Sequence, residues 1–172
     1  MQAVVNEGRD AGASLPHSHS QLVWLKDEPP IVADERAAGE CAVCDLLDGD
    51  ARERLVGERA GLLLVCPYAG RVRHEMLLAP RDHESDAFAS ASLPAALVLL
   101  GEAVRRLAAV EGPSPLNAWV HTAAPRQDGH WHIELVPRLT IPASLELGAG
   151  IYINTLAPEE AAERLRRALP AA

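Results

Sequence analysis

The sequence predicts an α+β fold, an antiparallel sheet with flanking helices, and three patterns support this prediction. Short apolar segments separated by turn residues follow one another as "ERLVGER", "GLLLVCP" and "HEMLLAP", which is typical of an antiparallel meander. The segment "SLPAALVLLGEAVRRLAAV" has apolar residues at helical spacing, with Ser92 as N-cap and Pro94 in the first turn. Strand patterns return in "LNAWVHT" and "HWHIELVPRLT", before "APEEAAERLRRALP" ends the chain as a second amphipathic helix.

Composition limits the classes of protein to consider. The 172 residues are 48% hydrophobic and 23% charged, which predicts a soluble globular chain with room for one domain and a fragment of another. The net charge of -8 argues against a nucleic-acid partner, because broad binding of that kind needs clustered Lys and Arg. No segment is long and apolar enough for a membrane span, the start does not resemble a secretory signal, and three cysteines do not suit a disulfide framework. We therefore expect a cytoplasmic protein without a membrane segment.

The first thirty residues differ from the rest of the chain. Strand patterns in "QAVV" and "SQLVWL" flank a glycine-rich stretch, and the Pro-rich, charged "KDEPPIVADERAAGE" that follows is typical of a linker. The first segment contains "HSHSQ", and the later part of the chain contains the similar "HWHIE". We predict a remnant of one domain at 1–30, forming a β-ribbon, and a complete related domain at 31–172.

The first histidine pair has features of a phosphoryl-transfer site. Side chains alternate faces along a strand, so His17, His19 and Gln21 are predicted to project together. Upstream, Gly8 and Gly12 would let the main chain approach a ligand, although a hairpin loop that simply needs glycine is an equal alternative for that stretch. A neutral imidazole is a competent nucleophile towards phosphorus, and amides beside it can stabilise the developing charge. The adjacency of these features favours a catalytic role.

The same alternation places His130, His132 and Glu134 on one face. A metal ligand or a general base are alternative roles for Glu134, but a carboxylate at a strand position near a sheet edge is more often solvated, so we expect Glu134 to be solvated. We expect His121 to be a satisfied core histidine. His74 precedes a strand and is expected to be exposed.

The motif "CAVC" is a separate signal. Cys41 and Cys44 can present two thiolates to one tetrahedral ion, with two further ligands taken from the histidines at 74, 83, 121, 130 and 132. A redox pair or two buried thiols are alternatives, but a redox pair is expected beside a βαβ unit that the sequence does not predict. The pattern therefore favours zinc, and Cys66, in an apolar strand, is predicted to be core.

These segments together resemble a known family. "NEGRDAGASLPHSHSQ" resembles the active-site segment of the galactose-1-phosphate uridylyltransferase family of the histidine-triad superfamily. The resemblance continues in the family's order through "CAVCDLL", "APRDH", "LNAWVHT", "HWHIELVPRLTIPASLELGAGIYIN" and "PEEAAERLR". It implies two histidine-triad-like halves, of which this chain resembles the tail of the first and the whole of the second.

The resemblance also implies roles for individual residues. His19 corresponds to the family's nucleophile, which takes a nucleotidyl group from a nucleotide sugar, and Gln21 to the Gln that contacts the nucleotide phosphate and favours transfer over hydrolysis. Three further positions correspond to residues around the nucleotide phosphates, and four to a zinc site of the second half. The phosphate positions are Asn6, Gly12 and Ser14, and the zinc positions are Cys41, Cys44, His83 and His130. Four protein ligands leave no open position, so that zinc would be structural.

Some positions depart from the family pattern. The cysteine pair and histidine that would complete a metal site with His17 are absent, Ser18 replaces a common proline, and Leu145 stands where an aromatic residue is frequent. Strands at 1–25 would lack their sheet neighbours, and an unpaired sheet edge invites another chain. The expected partner is a second copy, giving a homodimer, or a separately encoded first half.

Three functions follow as hypotheses. The first is nucleotidyl transfer between a nucleotide sugar of the UDP-glucose or ADP-glucose type and a hexose 1-phosphate through a covalent nucleotidyl-histidine at His19. The second is a non-catalytic, zinc-stabilised nucleotide-binding or assembly remnant. The third is a nucleotide hydrolase or phosphorylase that uses His132.

Overall fold

The computed structural model describes residues 1–37, 39–48, 51–123 and 127–168. Among these residues, seven strands form one antiparallel sheet in the order β2-β1-β6-β7-β5-β4-β3. The strands are β1 (Gln2–Glu7), β2 (Ser20–Val23), β3 (Leu55–Arg59), β4 (Leu62–Val65), β5 (Met76–Pro80), β6 (Leu116–His121) and β7 (His132–Pro137). The helices are α1 (Pro30–Ala37), α2 (Ala42–Asp48), α3 (Ala51–Arg54), α4 (Leu93–Glu111), α5 (Ser144–Ala149) and α6 (Pro158–Arg167). The predicted α+β class with an antiparallel sheet and flanking helices is confirmed.

One face of the sheet carries the main core. Alternate residues of the strands pack against the apolar sides of α4 and α6, as strand and helix periodicity require. Trp131, just before β7, is fully buried in this layer. Ser92 occupies the N-cap position of α4 as predicted, but its hydroxyl bonds that of Ser90 at 2.7 Å and does not cap the helix.

The opposite face is apolar only at one end. There β4 and β5 pack under α2 in a smaller cluster that includes Leu47, Leu63 and Leu77. Across β7, β6 and β1 the same face is polar, with Glu134 paired across the strands to Trp119 and His132 paired to His121. None of the helices formed by the described residues combines the length and apolar character needed to cross a membrane.

Residues 1–30 are joined to this sheet. β1 pairs with β6, so Asn6 lies opposite Asn117, and β1 also pairs with β2. The expectation that both N-terminal strands lack sheet neighbours is therefore wrong for β1. Of these two strands, only β2 lies at an edge of the sheet. The predicted linker is also partly helical, because α1 places Val32 in a buried position and turns Glu35 towards the polar face. The predicted end of the last helix at 169–170 lies outside the described residues.

Candidate functional site

A tight turn precedes the histidine pair that leads into β2. Gly8 and Gly12 both have φ of 82°, a backbone conformation that favours glycine, and they bracket a 3₁₀ turn at Arg9–Ala11. The amides of Gly12 and Ala13 donate to the carbonyls of Arg9 and Gly8 at 2.9 and 3.1 Å. These two amides are therefore used within the turn. Its role is to redirect the chain towards residue 14, and it does not offer those amides to a ligand.

His19 lies just before β2, with a defined ring orientation. Its Nδ1 is 3.1 Å from the carbonyl oxygen of His17, which can only accept, so Nδ1 carries the proton. The neutral ring then has its lone pair on Nε2, for which the described residues supply no hydrogen-bond partner. The register of β1 with β2, continued by one residue, sets His19 opposite Asn6. This arrangement leaves Nε2 available as a nucleophile.

The Nδ1 of His132 contacts a carbonyl as that of His19 does, but the Nε2 of His132 faces charged neighbours. Its Nδ1 is 2.9 Å from the carbonyl oxygen of His130, but its Nε2 faces Glu134 and Glu35 at 3.7 and 3.9 Å. Burial would lower the pKa of His132, but Glu134, the His130 carbonyl and Glu35 outweigh burial and raise it. Its buried Nε2 faces two carboxylates, so His132 is poorly placed to act as a nucleophile.

The four predicted metal ligands come together. Cys44 Sγ is 3.3 Å from His83 Nδ1 and 3.4 Å from His130 Nδ1, and Cys41 Sγ is 3.7 Å from His130 Nδ1. Ligands of a tetrahedral zinc ion are separated by about 3.3–3.8 Å, given bond lengths of about 2.0–2.3 Å. The donor set and its spacing therefore fit zinc. His130 lies before β7, and its ring belongs to this group and not to the group that contains His132 and Glu134.

The other nitrogen of each metal-facing imidazole is also bonded. His130 Nε2 donates to the carbonyl oxygen of Pro80 at 2.8 Å, and His83 Nε2 to Asp128 Oδ1 at 3.0 Å. Such bonds fix the tautomer with Nδ1 free for a metal. Burial and the neighbouring Cys41 raise the pKa of Cys44 to about 11, so a cation is needed to keep the Cys44 thiol ionised.

A second polar cluster occupies the middle of the sheet. Glu35, His121, His132 and Glu134 bring four donor atoms within 4.8 Å of one another, a group that could also hold a metal. His121 Nδ1 is 3.0 Å from Glu35 Oε1, and the rings of His121 and His132 meet edge to face. His121 is thus buried as expected, but as part of a charged cluster.

Arg71 joins this cluster from the loop before β5. Its guanidinium donates to Glu134 and to Glu75 Oε1, the latter at 2.9 Å from Nε, and lies 5.3 Å from the centroid of the Trp119 ring. Burial would raise the pKa of Glu134, but the bond to His132 and the charge of Arg71 hold it at about 2. Glu134 is only 8% exposed, so the expectation that it is solvated is wrong.

Replacing Arg71 by methionine is expected to lower the free energy of unfolding by about 3–5 kcal/mol, because it leaves two buried carboxylates without their cation. Urea unfolding at pH 7 measures this loss. Arg73→Met is the matched control in the same loop. The Arg73 side chain, which pairs with Glu111, is 38% exposed, so a loss of about 1 kcal/mol or less is expected. Because the pKa of Glu134 is lowered by folding, its contribution is present above the unfolded value of about 4.3 and lost as the pH falls towards 2. Equal losses in the two variants would contradict the assignment.

Two other predicted positions differ from expectation. His74 is buried and not exposed, with a φ of 60° and its Nε2 3.0 Å from Glu111 Oε1, an ion-pair distance without good hydrogen-bond geometry. Burial lowers the pKa of His74 despite that carboxylate. His17 touches His19 edge-on at 5.9 Å between ring centroids, and neither metal-capable group of the described residues includes it.

Sequence reasoning missed Glu35, Arg71 and Asn117. Glu35 lay within an apparent linker, and nothing local distinguishes Arg71 from other loop arginines. Asn117 sits in a strand pattern whose polar member could be assigned to a face only once the pairing with β1 was known.

The antiparallel sheet with its flanking helices has the fold of histidine-triad proteins. A zinc-bound histidine-triad protein from Mycobacterium smegmatis superposes over 75% of this chain and 92% of its own with a TM-score of 0.53 and 21% identity, which supports the fold alone. The crystal structure of an ADP-glucose phosphorylase from Arabidopsis thaliana with bound ADP-glucose matches 99% of this chain and 58% of its own, with a TM-score of 0.83 and 27% identity. No protein-family model matches the chain.

Two curated proteins match the sequence over nearly its whole length. The ADP-glucose phosphorylase of Arabidopsis thaliana is 28% identical over 96% of this chain and 51% of its own. The galactose-1-phosphate uridylyltransferase of Thermotoga maritima is 27% identical over 94% of this chain and 58% of its own. The chain is thus a homologue of these nucleotidyl-transfer proteins, and it spans about half the length of the curated relatives it matches.

Proposed function

We propose that this chain supplies the nucleophile half of a nucleotidyltransferase that acts on nucleotide sugars. The observation that carries the proposal is the orientation of His19, whose Nδ1–H is held by the His17 carbonyl while Nε2 has no partner among the described residues. The curated relatives support the substrate class: one is named for phosphorolysis of ADP-glucose and the other for uridylyl transfer to galactose 1-phosphate.

The reaction proceeds in two balanced steps. His19 Nε2 attacks the α-phosphorus of the nucleotide sugar, the N–P bond forms, and the bond to the bridging oxygen breaks, so sugar 1-phosphate leaves with the electron pair. A phosphate oxygen of a hexose 1-phosphate then attacks the nucleotidyl-histidine and releases His19. Inorganic phosphate is the corresponding acceptor for a phosphorylase. Gln21, Asn6 and the backbone and hydroxyl of Ser14 stabilise the charge on the phosphoryl oxygens, and Gly12 sets the turn that brings Ser14 there.

The test is to incubate the purified chain with UDP-glucose or ADP-glucose, without acceptor, and to measure its intact mass. A gain of one nucleoside monophosphate is expected, and hexose 1-phosphate should then remove it. The second candidate function, a non-catalytic assembly remnant, is favoured by the absence of His17 from the metal-capable groups of the described residues. No gain in mass, with or without a first half-domain, would favour that remnant.

Zinc at Cys41, Cys44, His83 and His130 is proposed as a structural metal. It would join α2 to the loop after β5 and to the residue pair before β7, and it supplies no open position to a substrate. The three reduced cysteines fit the cytoplasm, where thiols persist.

A partner is proposed at the edge formed by β2. All four residues of β2 are exposed, and Leu22 and Trp24 are 67% and 81% exposed. An apolar, unpaired edge of this kind is a template for another sheet. The partner is a first half-domain or a second copy that occupies the same place.

Sedimentation equilibrium tests the second copy first, and a mass of twice 18.4 kDa is expected. Leu22→Lys should return the chain to a monomer, because a lysine on the edge opposes strand pairing. Leu97→Lys, at a leucine of α4 that is 55% exposed, is the matched control and should leave the dimer unchanged. A monomer that also fails to bind a co-expressed first half-domain would contradict this proposal.

A further inference from the structure

Asn117 connects the sheet of the second domain to the residues around His19. It lies on β6, directly opposite Asn6 on β1. Its Nδ2 donates to Asn6 Oδ1 at 2.8 Å and to the main-chain carbonyl oxygen of Ala11 at 2.9 Å. The Asn117 amide thus donates both of its hydrogen bonds to the segment that precedes His19, one to a side chain and one to the main chain of the turn.

The first of these bonds fixes the orientation of the Asn6 amide. Because Asn6 Oδ1 accepts from Asn117, the Asn6 NH₂ group points away from β6. The β1–β2 register places His19 on that other side, one residue beyond the last pair. Asn6 therefore offers donors, and not its oxygen, towards the imidazole and any phosphoryl group on it.

The second bond holds the turn itself. Ala11 is 8% exposed, and its carbonyl would otherwise have to find water or a neighbour. Beside it, a Cβ on Gly8 would lie only 3.1 Å from Pro115 Cβ, so the turn rests closely on the residues before β6. Asn117 and this contact set the path of the chain towards Ser14.

We propose that Asn117 is a positioning residue for nucleotidyl transfer at His19, acting through the Asn6 amide and the Ala11 carbonyl. This inference rests on the proposed function of His19 and adds a residue from the second domain to that site. A donor that is oriented before reaction stabilises developing phosphoryl charge without reorganisation. Asn117 itself does not contact the reacting atoms.

The test compares Asn117→Asp with Asn117→Ala in the rate of nucleotidyl adduct formation. In Asn117→Asp a carboxylate faces Asn6, whose amide then turns to donate to it and presents its oxygen to the phosphoryl group. The rate of adduct formation is expected to fall about 100-fold in Asn117→Asp and about 10-fold in Asn117→Ala. The nucleotide-sugar concentration that gives half the maximal rate should change less than roughly threefold. A role in packing alone predicts the reverse order, because Asp keeps the volume of Asn.

Asn154→Ala is the matched control. Its Nδ2 also donates to a main-chain carbonyl, that of Gly70 at 3.0 Å, and its rate should match the wild type. An NMR contact between the Asn6 NH₂ and the His19 ring protons, present in the wild type and lost in Asn117→Asp with an unchanged fold, reports the orientation directly. If the wild-type chain forms the adduct and both Asn117 variants form it within twofold of the wild-type rate, the inference alone is overturned. If the wild-type chain forms no adduct, the proposed function and the inference are both overturned.

Discussion

Replacing His19 by alanine is expected to abolish the nucleotidyl adduct, because its Nδ1 is held by the His17 carbonyl and its Nε2 has no hydrogen-bond partner among the described residues. His121 also has a bonded Nδ1, but it is buried beside Glu35, and the Nε2 of His132 faces two carboxylates. Loss of the nucleophile removes the covalent route altogether, so the loss is complete and not a reduced rate. Intact-mass measurement after incubation with UDP-glucose or ADP-glucose detects it.

His132→Ala serves as the paired control for this variant. It removes the other histidine whose Nδ1 contacts a carbonyl two residues earlier. Its adduct should form as in the wild type, provided the melting temperature shows that the chain remains folded. An adduct that survives in His19→Ala and disappears in His132→Ala would place the chemistry at His132 and contradict the proposal.

Removal of the proposed zinc is expected to lower the melting temperature by about 5–10 °C. A ligand at about 100 times its dissociation constant stabilises the native state by about 2.7 kcal/mol, and each kcal/mol shifts the midpoint of a domain of this size by about 2–4 °C. The effect falls short of complete unfolding because the core between the sheet and α4 does not include the metal ligands. Elemental analysis should find one zinc per chain, and Cys44→Ser should remove it and the sensitivity to chelator.

Cys66→Ala distinguishes the metal ligands from cysteine in general. Cys66 is buried in the core, and burial raises the pKa of its thiol to about 12. Neither metal-capable group of the described residues includes it. This variant should melt lower because it leaves a cavity, yet it should keep its zinc and its response to chelator. Freshly purified protein without zinc, with melting unaltered by chelator, would rule out the metal site.

The sequence predicted the strands and long helices because their patterns are local. Alternating or continuous apolar residues marked β3 to β7, and helical spacing marked α4 and α6. It failed at α1, where two prolines and several charges suggested a linker. The helix is held by tertiary contacts of Val32 and Glu35, which local composition does not report.

The candidate site was predictable where a motif carries its own chemistry. The cysteine pair and the segment "HWHIE" named five of the eight residues in the two metal-capable groups, whereas the histidines of "HSHSQ" belong to neither group. The split of His130 and His132 between two clusters was not predictable, since it depends on β7 beginning at His132. Arg71 and Asn117 act across the sheet, and their partners are distant in sequence and fixed only by register.

The position of β1 inside the sheet has a consequence for the dynamics of the site. Strand β1 is bonded on both sides and β2 on one, so backbone amides of β1 should be protected from hydrogen exchange while those of the β2 edge open cheaply. His19 lies directly before this edge strand. The fraction of molecules that hold the His19 ring in place is then expected to depend on the closing equilibrium of the β1–β2 hairpin, which a neighbouring sheet can shift without contacting the imidazole.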